Sequence, residues 1–237
     1  MDSAASLPLG AKNPDLILID TDSLLQLLIA DQVRLLHSIK KRFNIQPAIV
    51  EAVEAEVRKS KKFRSQFTKE LQKALDNGTI VVLDTRTLPA YVTTSPDAVF
   101  NMIQTNGFSN GRLGLDYGEA YSFAAGVALG IPMVTNDMNA VRTAQKRGIQ
   151  LPTNLLRTYD LIVLCHQFGE LTEHDCDEIR KTLVGKNEFV PAAFEKTSYG
   201  KGLTSFYPRI HDGSKSALGA PVAVHQLDVR ITINPRS

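Results

Sequence analysis

The sequence predicts an α/β protein: a parallel sheet of four to five strands wrapped by helices, followed by a C-terminal extension. Three observations carry this expectation. Short unbroken apolar runs at Leu16–Ile19, Ile80–Leu83 and Ile131–Thr135 have the length and character of strands buried on both faces. Segments with apolar residues at helical spacing separate them, and alternation of strand and helix calls for a parallel sheet. The composition is that of an ordinary globular chain. Of 237 residues, 43% are apolar and 22% charged, and the mean hydropathy is −0.10. These values exclude collagen-like, disulfide-scaffold and wholly disordered classes.

The elements follow in order. Residues 1–13 are small and polar and should fray. After the first strand, Leu24, Leu25, Leu27, Leu28, Val33, Leu35, Leu36 and Ile39 predict one helix running to the Lys40–Arg42 cluster. Pro47 is placed to open the next helix at its first turn, with Val50, Val53 and Val57 as its buried stripe. Phe63, Phe67, Leu71 and Ala74 mark a following basic helix that Asp76-Asn77-Gly78 stops. Residues 84–97 read as a loop, and a short helix leads to a loop with glycines at 107, 111, 114 and 118. A helix from about Glu119 to Gly130 precedes the third strand. A helix over Ala140–Lys146, a short strand at Ile149–Leu151, and helices over about Asn154–Phe168 and Glu173–Val184 complete residues 14–185 as one domain. Thr172 and Asp175 form a capping-box-like start to the last of these. In residues 186–237, prolines and glycines break any helix, and Leu227, Val229, Ile231 and Ile233 alternate with polar residues as a terminal strand would. This stretch is the expected extension or arm, whether packed on the body, a second protomer or a partner.

Net charge is only +2, but its distribution is uneven. From Arg34 to Lys73 there are eleven basic residues and four acids, a net +7 that leaves −5 elsewhere. Such asymmetry points to an anionic partner such as nucleic acid, or else to solvated helix faces. Cys165 and Cys176 form no metal-ligand spacing and no disulfide framework, which fits a reducing compartment. The first residues lack a basic secretory n-region, and no apolar run is long enough to span a bilayer. A cytoplasmic location without a membrane is the expectation.

The chemistry-bearing residues are acids. In open parallel sheets, ligands bind beyond the carboxyl ends of strands. Asp20 and Asp22 directly follow Leu16–Ile19, Asp137 follows Met133–Asn136, Glu119 opens a helix in Tyr-Gly-Glu-Ala, and Glu56 lies in Val-Glu-Ala-Glu-Val. Carboxylates brought together repel one another. A hard divalent cation removes that cost, because Mg²⁺ takes oxygen ligands from carboxylates, phosphates and water. Such a site suits phosphodiester hydrolysis. Taken singly, Asp22 or Ser23 could be an N-cap and Glu119 a first-turn acid favoured by the helix dipole.

In this order and topology the acids resemble those of the PIN-domain nucleases, including VapC-like toxin ribonucleases. The matching pieces are Leu16-Ile17-Leu18-Ile19-Asp20-Thr21-Asp22, then Glu56, Gly118-Glu119-Ala120, and Val134-Thr135-Asn136-Asp137 followed by Ala140, Ala144, Gly148 and Ile149. They cover about residues 14–165. The resemblance implies a PIN-like, Rossmann-like sheet and an Mg²⁺- or Mn²⁺-dependent ribonuclease. Asp20, Glu56, Glu119 and Asp137 would be metal ligands and catalytic residues, with Thr21 and Thr135 in support and Asp22 as a possible addition. It further implies an RNA substrate, a homodimer, and an antitoxin partner if the protein belongs to a toxin–antitoxin pair. Lys59, Lys61, Lys62 and Arg64 are the candidate RNA-binding residues. Many family members carry Ser or Asn where this chain has Asp22, and a minimal PIN domain has no counterpart to residues 186–237. Glu54 and Glu56 sit roughly 200° apart on a helix, so only one can face the site, and Glu56 is preferred. Asp116 is a weaker candidate, more readily a loop or cap acid.

Two other readings stand beside it. Asp20-x-Asp22 after an apolar strand also fits the nucleophile and acid of a HAD-type phosphatase. Against that, Val141 occupies the position where its last motif needs an acid. A non-catalytic PIN-like RNA-binding module is the third reading. The five histidines show no zinc-ligand pairing, and no Gly-Lys-Ser/Thr follows the glycine-rich loop as a phosphate cradle requires.

Overall fold

The computed structural model describes residues 15–59, 65–83, 85, 95–107, 117–137, 141, 151 and 155–206. Five short strands form the sheet: β1 (Asp15–Ile19), β2 (Ile45–Val50), β3 (Val81–Leu83), β4 (Met133–Val134) and β5 (Leu155–Leu156). All pairs are parallel, and the spatial order is β3-β2-β1-β4-β5. The α/β class and helix-flanked parallel sheet are those expected. The chain leaves β1 toward β2 and β3, then returns to the opposite side of β1 for β4 and β5. The order therefore reverses between β1 and β4.

Helices pack around these strands. They are α1 (Thr21–Ile29), α2 (Val33–Phe43), α3 (Glu51–Lys59), α4 (Ser65–Asp76), α5 (Pro96–Gly107), α6 (Tyr117–Leu129), α7 (Thr158–Gln167), α8 (Glu173–Gly185), α9 (Ala192–Glu195) and α10 (Tyr199–Phe206). The core joins Ile17, Leu18 and Ile19 of β1 to Ala48, Ile49 and Val50 of β2, under Leu24, Leu27, Leu36, Val53 and Val57. Among the described residues no helix is long and apolar enough to cross a membrane. Cys165 and Cys176 are buried and form no disulfide.

Four local expectations are corrected. The single helix expected over Leu24–Ile39 is two. Asp31 adopts φ 54°, its N–H donates to Leu28 O (3.2 Å) and the Gln32 N–H to Leu27 O (2.7 Å). That double bond pattern is a Schellman stop, which aspartate tolerates better than branched residues do. Pro47 opens no helix; it lies inside β2, opposite Ile17 of β1. It is accommodated because pairing with β3 begins only at Ala48, so no ladder partner is waiting for the missing N–H. The Gln46 amide bridges that gap, donating to Pro47 O (3.0 Å) and Thr79 O (3.2 Å). Leu155–Leu156, expected as helix, is strand, since both residues pair with Met133 and Val134. Helix α7 starts only at Thr158, where Asp160 accepts from the Arg157 N–H (2.8 Å). Leu151 has no strand geometry. Ile149, Gln150, most of the helix expected at Ala140–Lys146, the glycine-rich loop, Asp116 and the terminal strand at 227–233 lie outside the described residues.

In the stretch expected as an extension without helices, residues 186–206 instead form α9 and α10 and pack onto the body. Phe194 and Tyr199 are fully buried. Their rings stack on each other at 5.5 Å, and Phe194 meets Tyr159 of α7 at 4.6 Å. Gly202 permits this approach, because a Cβ there would collide with the Phe194 ring and with Ala193 O. Phe194→Ala is expected to destabilise the protein by about 3–5 kcal/mol, read from the midpoint of denaturant unfolding. A loss under 1 kcal/mol would show that α9 is dispensable to the core.

Candidate functional site

The reversal between β1 and β4 makes a crevice at the carboxyl ends of the two central strands, the position where open α/β sheets bind ligands. Leu18 and Asp20 donate their N–H groups to Pro132 O (2.8 Å) and Val134 O (3.1 Å), so the ends of the two strands stand side by side. An open cleft of about 330 Å³ lies here, lined by Asp22, Gln26, Glu119, Asn136, Asp137, Glu188 and Phe189.

Asp20 is the N-cap of α1; its Oδ1 accepts from the Ser23 N–H at 2.7 Å. The residue is 0% exposed, and Oδ2 is buried without a hydrogen bond of good geometry. Burial pushes its carboxyl up to about 6, against partial relief from hydrogen bonding at Ser23 and Thr135. Asp22, one turn position on, is exposed and lines the cleft.

Thr135 continues from β4, its N–H donating to Leu156 O (2.8 Å) and its hydroxyl accepting from the Asp137 N–H (3.2 Å). Asn136 clamps the start of α7: its Nδ2 donates to Thr158 Oγ1 (3.0 Å) and its Oδ1 accepts from the Thr158 N–H (3.2 Å). Thus Asp137 is delivered to the cleft by a strand end tied on both sides. Glu119 enters from the first turn of α6 and is 5% exposed.

Glu56 and Glu54 are now distinguished. Glu54 pairs with Arg58 (2.9 Å), whereas Glu56 Oε2 accepts from the Thr21 hydroxyl (2.8 Å), next to Asp20 in the chain. Helix α6 crosses this pair at Gly118, where a Cβ would overlap both Glu56 Oε2 and Thr21 Oγ1. Glycine is needed there for close approach, independent of any turn. Glu56 therefore braces α1 against α3 and α6 and does not line the open cleft.

The oxygens offered by Asp20, Glu119 and Asp137 are of the type a hard cation takes, and a cation beside the buried Asp20 carboxylate would offset its charge. Their spacing is open. Among the described residues, no three His, Cys, Asp or Glu side chains are gathered closely enough to hold a metal ion. Of the expected RNA-binding residues, Lys59 is exposed at the end of α3, while Lys61, Lys62 and Arg64 lie outside the described residues. The described basic residues do not all face the cleft. Arg34, His37 and Lys73 line a separate 590 Å³ cavity with Glu70, and Lys40 donates to Gly78 O.

Gln26, Asn136, Glu188 and Phe189 were not singled out from sequence. Asn136 carried a signal in its place beside Asp137. Glu188 and Phe189 carried none, since they arrive from 163 residues downstream of Gln26, whose Nε2 donates to Phe189 O at 3.3 Å. Comparisons with family models, curated proteins and solved structures gave no match.

Two outcomes are expected. In metal-free protein, the raised Asp20 carboxyl makes its ionisation oppose folding, a cost present above pH about 6 and absent below about pH 4, where the unfolded chain is also protonated. Asp20→Asn keeps the capping oxygen and removes the buried charge. It should be more stable than wild type by roughly 1–3 kcal/mol at pH 8, with the gap closing toward pH 4 in paired thermal melts. Gly118→Ala should displace Glu56 and cost about 1–3 kcal/mol, and restoring stability by adding Glu56→Ala would identify that collision as the cause.

Proposed function

We propose that this protein is a PIN-type endoribonuclease dependent on Mg²⁺ or Mn²⁺. One observation supports the reading: Glu119 at the head of α6 and Asp137 after β4 line the cleft where the strand order reverses, and Asp20 lies buried at the end of β1 against β4. Asp20, Glu119 and Asp137 would hold the ion, and Asp22 lies within the same cleft. A bound ion would polarise the phosphoryl oxygen and supply an activated water.

The chain's own residues do the positioning. Thr135 fixes the backbone of Asp137, and Asn136 locks that strand end to α7. The Thr21–Glu56 hydrogen bond holds the head of α1, and with it Asp20, against the helix that carries Glu119. Exposed Lys59 is available to substrate phosphates, a contact that should weaken with salt. A HAD-type phosphatase would use Asp20 as its nucleophile, whereas here Oδ1 of Asp20 caps α1 by accepting from the Ser23 N–H.

The test is cleavage of a fluorescent single-stranded RNA in Mn²⁺, beside hydrolysis of p-nitrophenyl phosphate. Asp20→Asn, Asp137→Asn and Glu119→Gln should each lower cleavage at least about 100-fold while melting cooperatively, and EDTA should abolish it. Asp22→Asn should retain measurable cleavage. Full cleavage in EDTA, or turnover of the phosphate ester that needs Asp22 but not Glu119, overturns the proposal.

A further inference from the structure

Phe189 takes no part in holding a cation, yet its ring is built into the wall of an acid-lined cleft and remains 41% exposed. It is not there by looseness of the chain. Its carbonyl accepts from Gln26 of α1, the preceding Glu188 N–H donates to Leu183 O (2.9 Å), and the following Val190 is buried. Behind the ring stands the Arg157 guanidinium, 5.2 Å from the ring centroid; Arg157 is itself buried at the head of α7. Contacts from α1 and α8 thus hold the backbone at Phe189 and Arg157 meets its ring, while much of the side chain is left to solvent, which forgoes the gain that burial would bring. A partly exposed ring backed by a cation is suited to receive another flat π system.

Resting on the nuclease reading above, we propose that Phe189 is a stacking platform for the base of an unpaired nucleotide, so that the cleft takes single-stranded RNA. A free strand can lay a base on the ring while its phosphate reaches the acids at the floor of the same cleft. In an A-form duplex the base faces are already occupied by their neighbours and cannot reach the ring. Stacking of this kind is tolerant of sequence and contributes about 5- to 150-fold in affinity per base.

The experiment measures binding by fluorescence anisotropy with full-length protein in the Asp137→Asn background in Mg²⁺. The probes are a labelled single-stranded oligoribonucleotide, its duplex, and the same single strand carrying abasic positions. Phe189→Leu keeps an apolar side chain but no π face and should weaken single-strand binding about 5- to 150-fold. Phe189→Trp should preserve it, and abasic positions should remove the difference between these variants. Duplex binding should not respond. Val184→Ala, at a 36% exposed apolar residue outside the cleft lining, should change nothing. Equal binding by Phe189→Leu and Phe189→Trp overturns the platform and leaves the ring to a protein partner. So does an equal loss on duplex, or an absence of single-strand binding. Each of these is distinct from failure of the nuclease reading, which is scored by cleavage in the Asp20, Glu119 and Asp137 variants.

Discussion

The parallel seam between β1 and β4 sets where the rest of the cleft can stand. Two backbone hydrogen bonds, from Leu18 to Pro132 and from Asp20 to Val134, bring together segments more than 110 residues apart in sequence. Because this seam is where the strand order reverses, it marks the place where an open α/β sheet leaves a crevice at its strand ends. That seam sets Asp20, after β1, beside the strand end that leads on to Asp137.

The seam imposes a cost at its end. Asp20 satisfies α1 through one oxygen and leaves the other buried, with the carboxyl pushed up to about 6. Structure built for stability alone would place asparagine or serine there, since either caps a helix without burying a charge. A polar group held in an unfavourable state beside a cleft is the pattern expected where function opposes stability. Asp160, raised to about 6 for the same reason, is a counterexample nearby: it accepts from the Arg157 N–H at the head of α7 and lines no part of the cleft. Perturbation therefore gains meaning only from position.

Around Asp20 the packing is tight where the acids are braced and open where they face solvent. Gly118 lets α6 approach the Thr21–Glu56 pair, and Asn136 ties β4 to α7. The far wall comes from residues 188 and 189, held by contacts with α1 and α7. Residues expected to form an appendage thus contribute a side of the cleft as well as two rings to the core.

The chain's own letters determined the α/β class, because unbroken runs such as Leu16–Ile19 and helical spacing in α2, α3 and α4 are local patterns that burial reads directly. They also determined which acids follow strands, since Asp20 and Asp137 are adjacent in sequence to the runs that pair. What they could not determine was set by contacts distant in sequence. Pro47 carries a helix-start signal locally, yet it lies in β2 because the missing N–H has no ladder partner there. Leu155–Leu156 fits a helix until β4 offers it hydrogen bonds. The choice between Glu54 and Glu56 was decided by Thr21, 35 residues away. Glu188 and Phe189 reach the cleft only because the chain folds back after α8. Hydrophobic periodicity reports how much of an element is buried; which partner buries it is a property of the assembled sheet and its helices.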